Sequence, residues 1–514
     1  MPKTRRLLQQ EITYSDAQDD QSNILHKLTF PSQRDQFLDH VYRHCSWIQR
    51  VVSHHLNFRS GDTCRVSQPE EWLHGSFNLC IPVEVVQHAQ SATTKVLVRI
   101  PLPYRVGEAF RPGNADEKLR CEAGTYAWLQ LMAPSIRVPR LYGFGLSTGQ
   151  CFTDIENMPF LTRCFHHLRC RLQACFGYQT PTRYVPHPIH RSDDPGMGYL
   201  LMEYIDDAQM LSNTWSKSHG DERLRKNLFR DLSTIYLTLA QVPLPRIGSF
   251  VIDANGYLTL SNRPLSSEIQ ELENGNIPID MPRDFTYSTV DSYVVDLLSC
   301  HDSRMQHQPN AVMDLKDGIY QITALTMMKT IFPHFFRREL RRGPFVMQLT
   351  DLHPSNVFVD DDWNIKCVID LEWTCSRPIE MLHPPTWLTD QTADNLDLET
   401  YNKVREEFMN ILQEQEKMFH AKAGKVPSLS TVMEQGWKTR TFWYSLCLRS
   451  PLGIHQFFYD HIQTRFAKGH IDDGDFFRIN MSYWREGAIP FLHAKVKDKE
   501  RYDLQLREAF EVEE

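Results

Sequence analysis

The sequence predicts an α+β protein of two lobes, a smaller lobe rich in β-strands and a larger helical lobe after it. The chain has 514 residues, too many for one hydrophobic core. Short apolar strands are concentrated after about residue 64, whereas helical periodicity dominates the second half. We therefore divide the chain into an N-terminal helical extension (1–60), a β-rich lobe (61–205) with an insert at about 151–197, and a helical lobe (206–514).

Composition and charge limit the classes of partner. Hydrophobic residues make up 41% and charged residues 23%, as in ordinary folded globular proteins. The net charge of −8 repels phosphate backbones, so we expect no nucleic-acid partner. The chain has no apolar signal region and no long apolar run, so we expect no membrane partner. Twelve cysteines in such a chain favour reduced thiols and a cytoplasmic location. The sequence does not indicate an oligomeric state.

The first elements follow from local patterns. Apolar residues at three- and four-residue steps predict helices over 18–58. The stretches "FNLCIPVEVV" and "KVLVRIPL" are strand formers and predict a β-hairpin. A helix is predicted over 114–132, with Asn114 as its N-cap and Glu117 completing a capping box. Capping and the helix dipole thereby explain Glu117 in the first helical turn.

Later elements follow in the same way. "GYLLMEYI" predicts an apolar strand that ends the β-rich lobe near residue 206. A helix is predicted over 223–241, and Asn255-Gly256 predicts the tight turn of a second hairpin. Residues 394–450 and 452–511 read as helices with aromatic faces.

The insert at 151–197 is rich in Pro, His and Arg and is predicted to be mainly irregular. Within it, "CFHHLRCRLQAC" combines cysteines and histidines in a way that invites a zinc site. It contains no C-x-x-C or H-x-x-x-H pair, the spacings that zinc sites use, so a solvated basic helix is the favoured interpretation.

The stretch "QLTDLHPSNVFVDDDWNIKCVIDLEW" carries the candidate chemistry. Its two apolar runs flank a turn centred near Trp363 and predict a hairpin with Asn356 and Asp370 opposite each other at the open end. An amide oxygen beside a carboxylate suits Mg²⁺, which fills its remaining positions with water and phosphate oxygens. In an extended strand, Glu372 would lie on the same side as Asp370. The sequence therefore predicts Asn356 and Asp370 as metal ligands, with Glu372 as a neighbour.

Asp351 lies five residues before Asn356 and is predicted to face the same end of the hairpin. A carboxylate beside a bound metal can orient an attacking hydroxyl and accept its proton. Taken singly, these residues could be a turn cap, a turn residue and an exposed strand end. Taken together, D-x-x-x-x-N followed by a hairpin that ends in Asp is the arrangement by which kinases hold base and metal, which favours the functional interpretation.

These motifs resemble those of a known family. "TDLHPSN" followed by "CVIDLEW" is similar to the pattern H-G-D-x-x-x-x-N and I-D-x-E of the aminoglycoside phosphotransferase and choline-kinase-like family, and in particular to long fungal phosphotransferase-family proteins. Segments such as "YLLMEYI" and "PLPRIGSFVID" extend the likeness over about residues 60–400. The resemblance implies a protein-kinase-like fold, with Asp351 as catalytic base, Asn356 and Asp370 as Mg²⁺ ligands, and ATP bound between the lobes.

The nucleotide-binding residues are predicted on the β-rich lobe. Gly75 and Ser76 in "HGSFN" would form the turn that covers the phosphates. Lys95 and Arg99 are the candidate strand cations, and the resemblance aligns Arg99 with the family's strand lysine, although an exposed strand charge remains the alternative. Glu122 lies on the apolar stripe of the 114–132 helix, and because a buried glutamate requires a cation, we predict an Arg99–Glu122 ion pair.

Backbone groups from Glu203 to Ile205 would contact adenine, although a buried core strand explains most of those side chains equally well. The resemblance thus implies an ATP-dependent phosphotransferase that acts on a hydroxyl group of a small molecule. The chain departs from the family in having Leu349 and Thr350 where His and Gly are usual. A catalytically inactive kinase-like module that binds nucleotide or a partner is therefore the alternative. A protein kinase is a third, but the D-F-G and A-P-E motifs are missing.

Overall fold

The structure, a computed structural model, describes residues 3–88, 93–189, 195–392, 395–419, 427–467 and 473–511. Parts of the predicted segments lie outside these ranges, namely residues 190–194 of the insert and residues 420–426 and 468–472 among the C-terminal helices. The described chain is a mixed α/β protein with one large sheet and many helices.

Eight strands form the large sheet, in the order β3-β5-β6-β10-β7-β8-β9 with β4 also paired to β5, and the other strands form small two- or three-stranded sheets. In chain order the strands are β1 (Thr4–Arg6), β2 (Glu11–Thr13), β3 (Thr63–Val66), β4 (Leu73–His74), β5 (Asn78–Val86), β6 (Thr93–Pro101), β7 (Leu141–Gly145), β8 (Cys151–Asp154), β9 (Tyr184–Pro186), β10 (Tyr199–Glu203), β11 (Gln209–Met210), β12 (Ser249–Ile252), β13 (Leu258–Asn262), β14 (Phe345–Leu349), β15 (Val357–Val359), β16 (Ile365–Val368) and β17 (Thr374–Pro378).

Helices surround this sheet and make up most of the chain after β10. In chain order they are α1 (Tyr14–Asp19), α2 (Ile24–Lys27), α3 (Phe30–Arg43), α4 (Cys45–His55), α5 (Pro103–Val106), α6 (Asn114–Met132), α7 (Phe160–Cys175), α8 (Ser212–Ser218), α9 (Glu222–Ala240), α10 (Ser267–Asn274), α11 (Val290–His307), α12 (Leu315–Ile331), α13 (Leu398–Met418), α14 (Leu429–Lys438), α15 (Thr441–Arg449), α16 (Ile454–Phe457), α17 (Gln463–Phe466), α18 (Gly474–Ser482) and α19 (Ala488–Glu511). A π-helical turn, Phe458–Ile462, joins α16 to α17.

The predicted β5–β6 hairpin is present as an antiparallel pair. Alternate residues of both strands are buried against helices α3 and α4, because period-two spacing puts them on one face of the sheet. Val98 and Ile100 of β6 belong to that face, and Arg99 between them points to the other face. Arg99 lies between Cys80 of β5 and Leu200 of β10, so it occupies a central strand.

Helix α6 has the predicted bounds, but its first turn differs from the prediction. Gly113, with φ of 90°, is the N-cap, and Asn114 is the first helical residue. Glu117 forms no capping box: it is buried and accepts two hydrogen bonds of 2.8 Å from the guanidinium group of Arg263. The prediction that capping and the helix dipole explain Glu117 was wrong, because its cation is Arg263, which follows β13 and lies 146 residues later in the chain.

Helix α6 also approaches β12 very closely, and Gly124 makes that approach possible. A Cβ atom at this position would lie 2.2 Å from the carbonyl oxygen of Phe250. The helix therefore belongs to the large hydrophobic cluster that extends from α6 through the helices after β10. This contact fixes α6 between the large sheet and the later part of the chain.

The insert is more regular than predicted. It contains β8, helix α7 and β9, and β8 and β9 extend the large sheet. The segment "CFHHLRCRLQAC" lies within α7, as the prediction of a basic helix requires. The predicted helix over 223–241 and the second hairpin correspond to α9 and to β12–β13, whose turn contains Gly256 at φ of 87°.

Two observations concern the chain as a whole. All twelve cysteines are free thiols. Across the described ranges, no helix combines the length and the apolar character that crossing a bilayer requires.

Candidate active site

The open end of the β15–β16 hairpin carries the three predicted polar residues. Val357 pairs with Val368, and the amide of Ile369 donates to the Asn356 carbonyl at 2.9 Å, so Asn356 and Asp370 leave the hairpin side by side. The Asn356 Nδ2 atom donates to the backbone oxygen of Asp351 at 2.9 Å and to its carboxylate at 3.3 Å. The loop between β14 and β15 thus holds Asp351 against the end of the hairpin.

Arg99 connects this hairpin to helix α6. Its Nη1 atom donates to Glu122 Oε1 at 2.7 Å, which is the ion pair that the helix stripe predicts. Its Nη2 atom donates to Asp370 and, at 2.5 Å, to Glu372. The sequence predicts that Glu372 reaches this position through an extended strand, but the backbone there is not extended. Asp370 has φ of 61°, and this left-handed turn brings both carboxylates to the same guanidinium group.

Two further buried residues, Lys118 and Asn78, complete the cluster. Neither was predicted as a site residue from the sequence. The Lys118 Nζ atom lies 2.6 Å from Glu372 Oε2 and also donates to Asn78. Asn78 in turn donates to Glu372 at 2.7 Å. Lys118 lies four residues before Glu122 and therefore on the same face of α6, a spacing that could have identified it from the sequence.

The cluster contains more negative than positive charge. Arg99 and Lys118 pair with three carboxylates, Glu122, Asp370 and Glu372, and the Asp351 carboxyl group lies close enough to Asp370 and Glu372 for their charges to act on it.

Burial, followed by the charge of Asp370, raises the pKa of Glu372, and burial also raises the pKa of Glu122. Burial opposes ionisation of Asp370 too, but the charge and hydrogen bond of Arg99 outweigh it and hold the pKa of Asp370 below its usual range. Asp351 as a whole residue is exposed. Even so, loss of hydration around its carboxyl group, together with the charges of Asp370 and Glu372, raises its pKa to about 7.

The donor set fits a divalent cation that takes few protein ligands. Glu372 Oε1 is buried with no hydrogen-bond partner among the described residues. Asn356 uses its amide nitrogen for Asp351, which leaves its amide oxygen for a cation. In the described ranges, no three His, Cys, Asp or Glu side chains form a group that could hold a metal ion. Mg²⁺ needs only one or two protein carboxylates when water and phosphate oxygens complete its coordination shell. The excess negative charge of the cluster, together with the Glu372 carboxylate oxygen and the Asn356 amide oxygen, therefore fits Mg²⁺.

The Gly75–Ser76 turn joins β4 to β5 and is exposed. Gly75 donates to the Asn78 carbonyl at 2.9 Å, and the Ser76 carbonyl accepts from Arg105 at 2.8 Å. Gly75 does not use the left-handed backbone that its freedom would permit. Through Asn78, the turn is continuous with the charge cluster, because Asn78 contacts both Lys118 and Glu372.

Glu203 and Ile205 lie where β10 leaves the sheet. Glu203 pairs with Val96 of β6, whereas Arg99 pairs with Leu200. The two pairs are three positions apart along the strands, which corresponds to about 10 Å. The hydrogen bonds of Glu203 run to Arg140: its amide donates to the Arg140 carbonyl at 2.8 Å, and its carboxylate accepts from the Arg140 amide at 2.9 Å. The Glu203 side chain is therefore committed to the neighbouring loop.

Comparison with known proteins adds little to this geometry. No protein-family model matches the chain, and no curated protein sequence matches it. Among solved structures, one similar chain is a macrolide 2′-phosphotransferase type I, with 12% sequence identity and a TM-score of 0.32, over 78% of this chain and 95% of that one. A superposition this loose carries no argument about fold or activity.

Proposed function

We propose that the protein is an ATP-dependent phosphotransferase that transfers the γ-phosphoryl group to a hydroxyl group of a small molecule. The observation that carries the proposal is that Asp351 and Asn356, hydrogen-bonded to each other, lie at the same end of the β15–β16 hairpin as Asp370, which contacts a cation held by Glu122. In this proposal the β-rich residues 61–205 and the helical residues 206–514 act as the two lobes of a kinase-like enzyme, preceded by the 1–60 extension. The free thiols support a cytoplasmic location.

Each group has a role that its contacts support. Asp351, oriented by Asn356, would accept the proton of the acceptor hydroxyl, and its raised pKa makes it a better base than an ordinary carboxylate. Arg99, held by Glu122, would bind the phosphates of ATP. Asn356 and Asp370 would hold Mg²⁺, which neutralises phosphate charge when bound.

The remaining predicted residues belong to the nucleotide side. The turn at Gly75 and Ser76 would cover the phosphates with backbone amides. The backbone from Glu203 to Ile205 would contact adenine, with Ile205 the better candidate because the Glu203 amide donates to Arg140.

One observation favours a second candidate, an inactive kinase-like module that binds nucleotide or a partner. The same Arg99 nitrogen contacts Asp370 and Glu372, so a protein cation lies where Mg²⁺ would be attracted. Leu349, in place of the histidine that is usual in the family, also favours the inactive module. Against it, Asp351 is held beside Asn356, and a module that only binds has no use for a base.

The test combines transfer and binding measurements on Asp351→Asn. We expect the wild type to transfer label from γ-labelled ATP to a hydroxyl compound in a pool of small metabolites, and the variant to lose at least about 10²-fold in rate. Thermal stabilisation by Mg²⁺-ATP should persist in the variant, because Asp351 is not proposed as a phosphate or metal ligand. Asp361→Asn, in the exposed turn of the same hairpin, is the matched control and should transfer normally.

The two candidates give different results. Nucleotide stabilisation without transfer to any metabolite would support the inactive module. Neither stabilisation nor transfer would refute both.

A further inference from the structure

Helix α7 lies on the surface of the molecule and contacts the rest of it along one side only. No residue of the helix is buried. Arg163 pairs with Glu156 at 2.9 Å, and Arg169 and Gln173 donate to the Tyr257 hydroxyl at 2.8 and 3.0 Å. These contacts fix the helix on the β12–β13 turn and determine which face points outward.

The outward face is apolar. Leu161, Phe165, Leu168 and Leu172 recur at four- and three-residue steps and form one stripe, which Phe176 continues just past the helix. These five side chains are between 51% and 80% exposed. Isolated exposed apolar residues are ordinary, but a continuous stripe of large ones marks a surface that another phase or molecule covers.

The charge of α7 is opposite to that of the chain. The helix carries three arginines, Arg163, Arg169 and Arg171, and no aspartate or glutamate, whereas the whole protein has a net charge of −8. At about 100° per residue, Arg169 and Arg171 fall on opposite sides of the apolar stripe. An apolar stripe between arginines is the pattern of helices that lie in the interface of a lipid bilayer.

We propose that α7 docks this face on an anionic membrane surface, with the apolar side chains among the lipid headgroups and the flanking arginines on lipid phosphates. Charge complementarity favours this occupant over a second copy of the chain. Pairing two apolar stripes would bring the flanking Arg169 and Arg171 of both copies together, and α7 has no acid to compensate them. The expectation of no membrane partner was based on the lack of a spanning segment. An interfacial helix requires none.

Vesicle co-sedimentation tests the proposal. The full chain is mixed with phosphatidylcholine vesicles that contain about 30% phosphatidylserine, or with pure phosphatidylcholine vesicles. We expect sedimentation with the anionic vesicles only, and release at about 1 M salt, where the Debye length falls to about 3 Å.

Matched variants connect the binding to α7. Leu168→Glu should weaken vesicle binding at least about tenfold, because it places a charge in the apolar stripe. Leu504→Glu makes the same change at a leucine of equal exposure on α19 and should bind as the wild type does. Arg171→Gln should weaken binding about fivefold. All three side chains are exposed, so circular dichroism should show unchanged folding.

Each other outcome overturns the proposal. Absence of binding to anionic vesicles would overturn the proposal. Vesicle binding that Leu168→Glu leaves unchanged would also overturn it, and so would a loss of binding in Leu504→Glu as large as the loss in Leu168→Glu. Concentration-dependent dimers in gel filtration, lost in Leu168→Glu and accompanied by no vesicle binding, would assign the face to a second copy instead. None of these readouts depends on phosphoryl transfer, so the result is independent of the proposed activity.

Discussion

Replacing Arg263 with methionine tests whether buried charge fixes helix α6. Arg263 is 2% exposed, and its guanidinium group makes paired hydrogen bonds to Glu117 (2.8 and 2.8 Å) and to Glu273 (2.8 and 2.9 Å). Methionine fills much of the same space without charge. The variant therefore leaves two buried carboxylates without their shared cation.

The expected loss of unfolding free energy is about 3–5 kcal/mol, the usual cost of removing one partner from a buried ion pair. The loss is limited because Glu117 keeps a contact of 3.1 Å with Arg283, and Glu273 keeps one of 3.0 Å with Asn114.

Urea unfolding at pH 7, followed by tryptophan fluorescence, measures this loss. Arg283→Met is the control: that side chain is 40% exposed, and its pair with Glu117 should contribute no more than about 1 kcal/mol. The triple variant Arg263→Met, Glu117→Gln, Glu273→Gln should recover at least about 2 kcal/mol. A loss of less than about 1 kcal/mol in Arg263→Met would refute the role of this buried charge in fixing α6.

Three further changes have expected outcomes in the same assay. Gly124→Ala should destabilise the protein by about 1–3 kcal/mol, although alanine favours helices, because the new Cβ would meet the Phe250 carbonyl; a gain in stability would contradict the close contact. Lys118→Met should cost about 3–5 kcal/mol by leaving Glu372 with Arg99 as its one remaining cation in the described part of the chain, and the double variant with Glu372→Gln should recover most of that loss. Burial lowers the pKa of His301 to about 4, so the unfolded chain takes up a proton first as the pH falls from about 6.5. His301→Gln should therefore lose less stability than the wild type between pH 6.5 and 4, by a difference of the order of 3 kcal/mol, and equal losses would contradict a buried neutral imidazole.

Local patterns in the sequence were sufficient for several elements of the fold. The β5–β6 and β15–β16 hairpins and the bounds of α6 follow from spacings of two and of three to four residues, because these set which side chains share a face. The Arg99–Glu122 pair was predicted as well: a glutamate on a buried stripe requires a cation, and the family resemblance selected Arg99 rather than Lys95.

Partners distant in the chain could not be predicted in this way. The residues that bury Glu117 are 145 and 146 positions away, at Asn262 and Arg263, so the first turn of α6 reads as an ordinary helix start in the sequence. Lys118 shares a face of α6 with Glu122, but the sequence does not show that its partners are Asn78 and Glu372.

Elements with strong periodicity, and the residues that share their faces, can be predicted from the sequence because both depend on short-range geometry. The pairing of charges and the exposure of an apolar stripe depend on the tertiary structure. Burial of a charge depends on every group that packs around it. Periodicity alone would place the stripe of α7 in a core, but the stripe points to solvent because hydrogen bonds from Arg169 and Gln173 to Tyr257 hold another side of the helix against the β12–β13 turn.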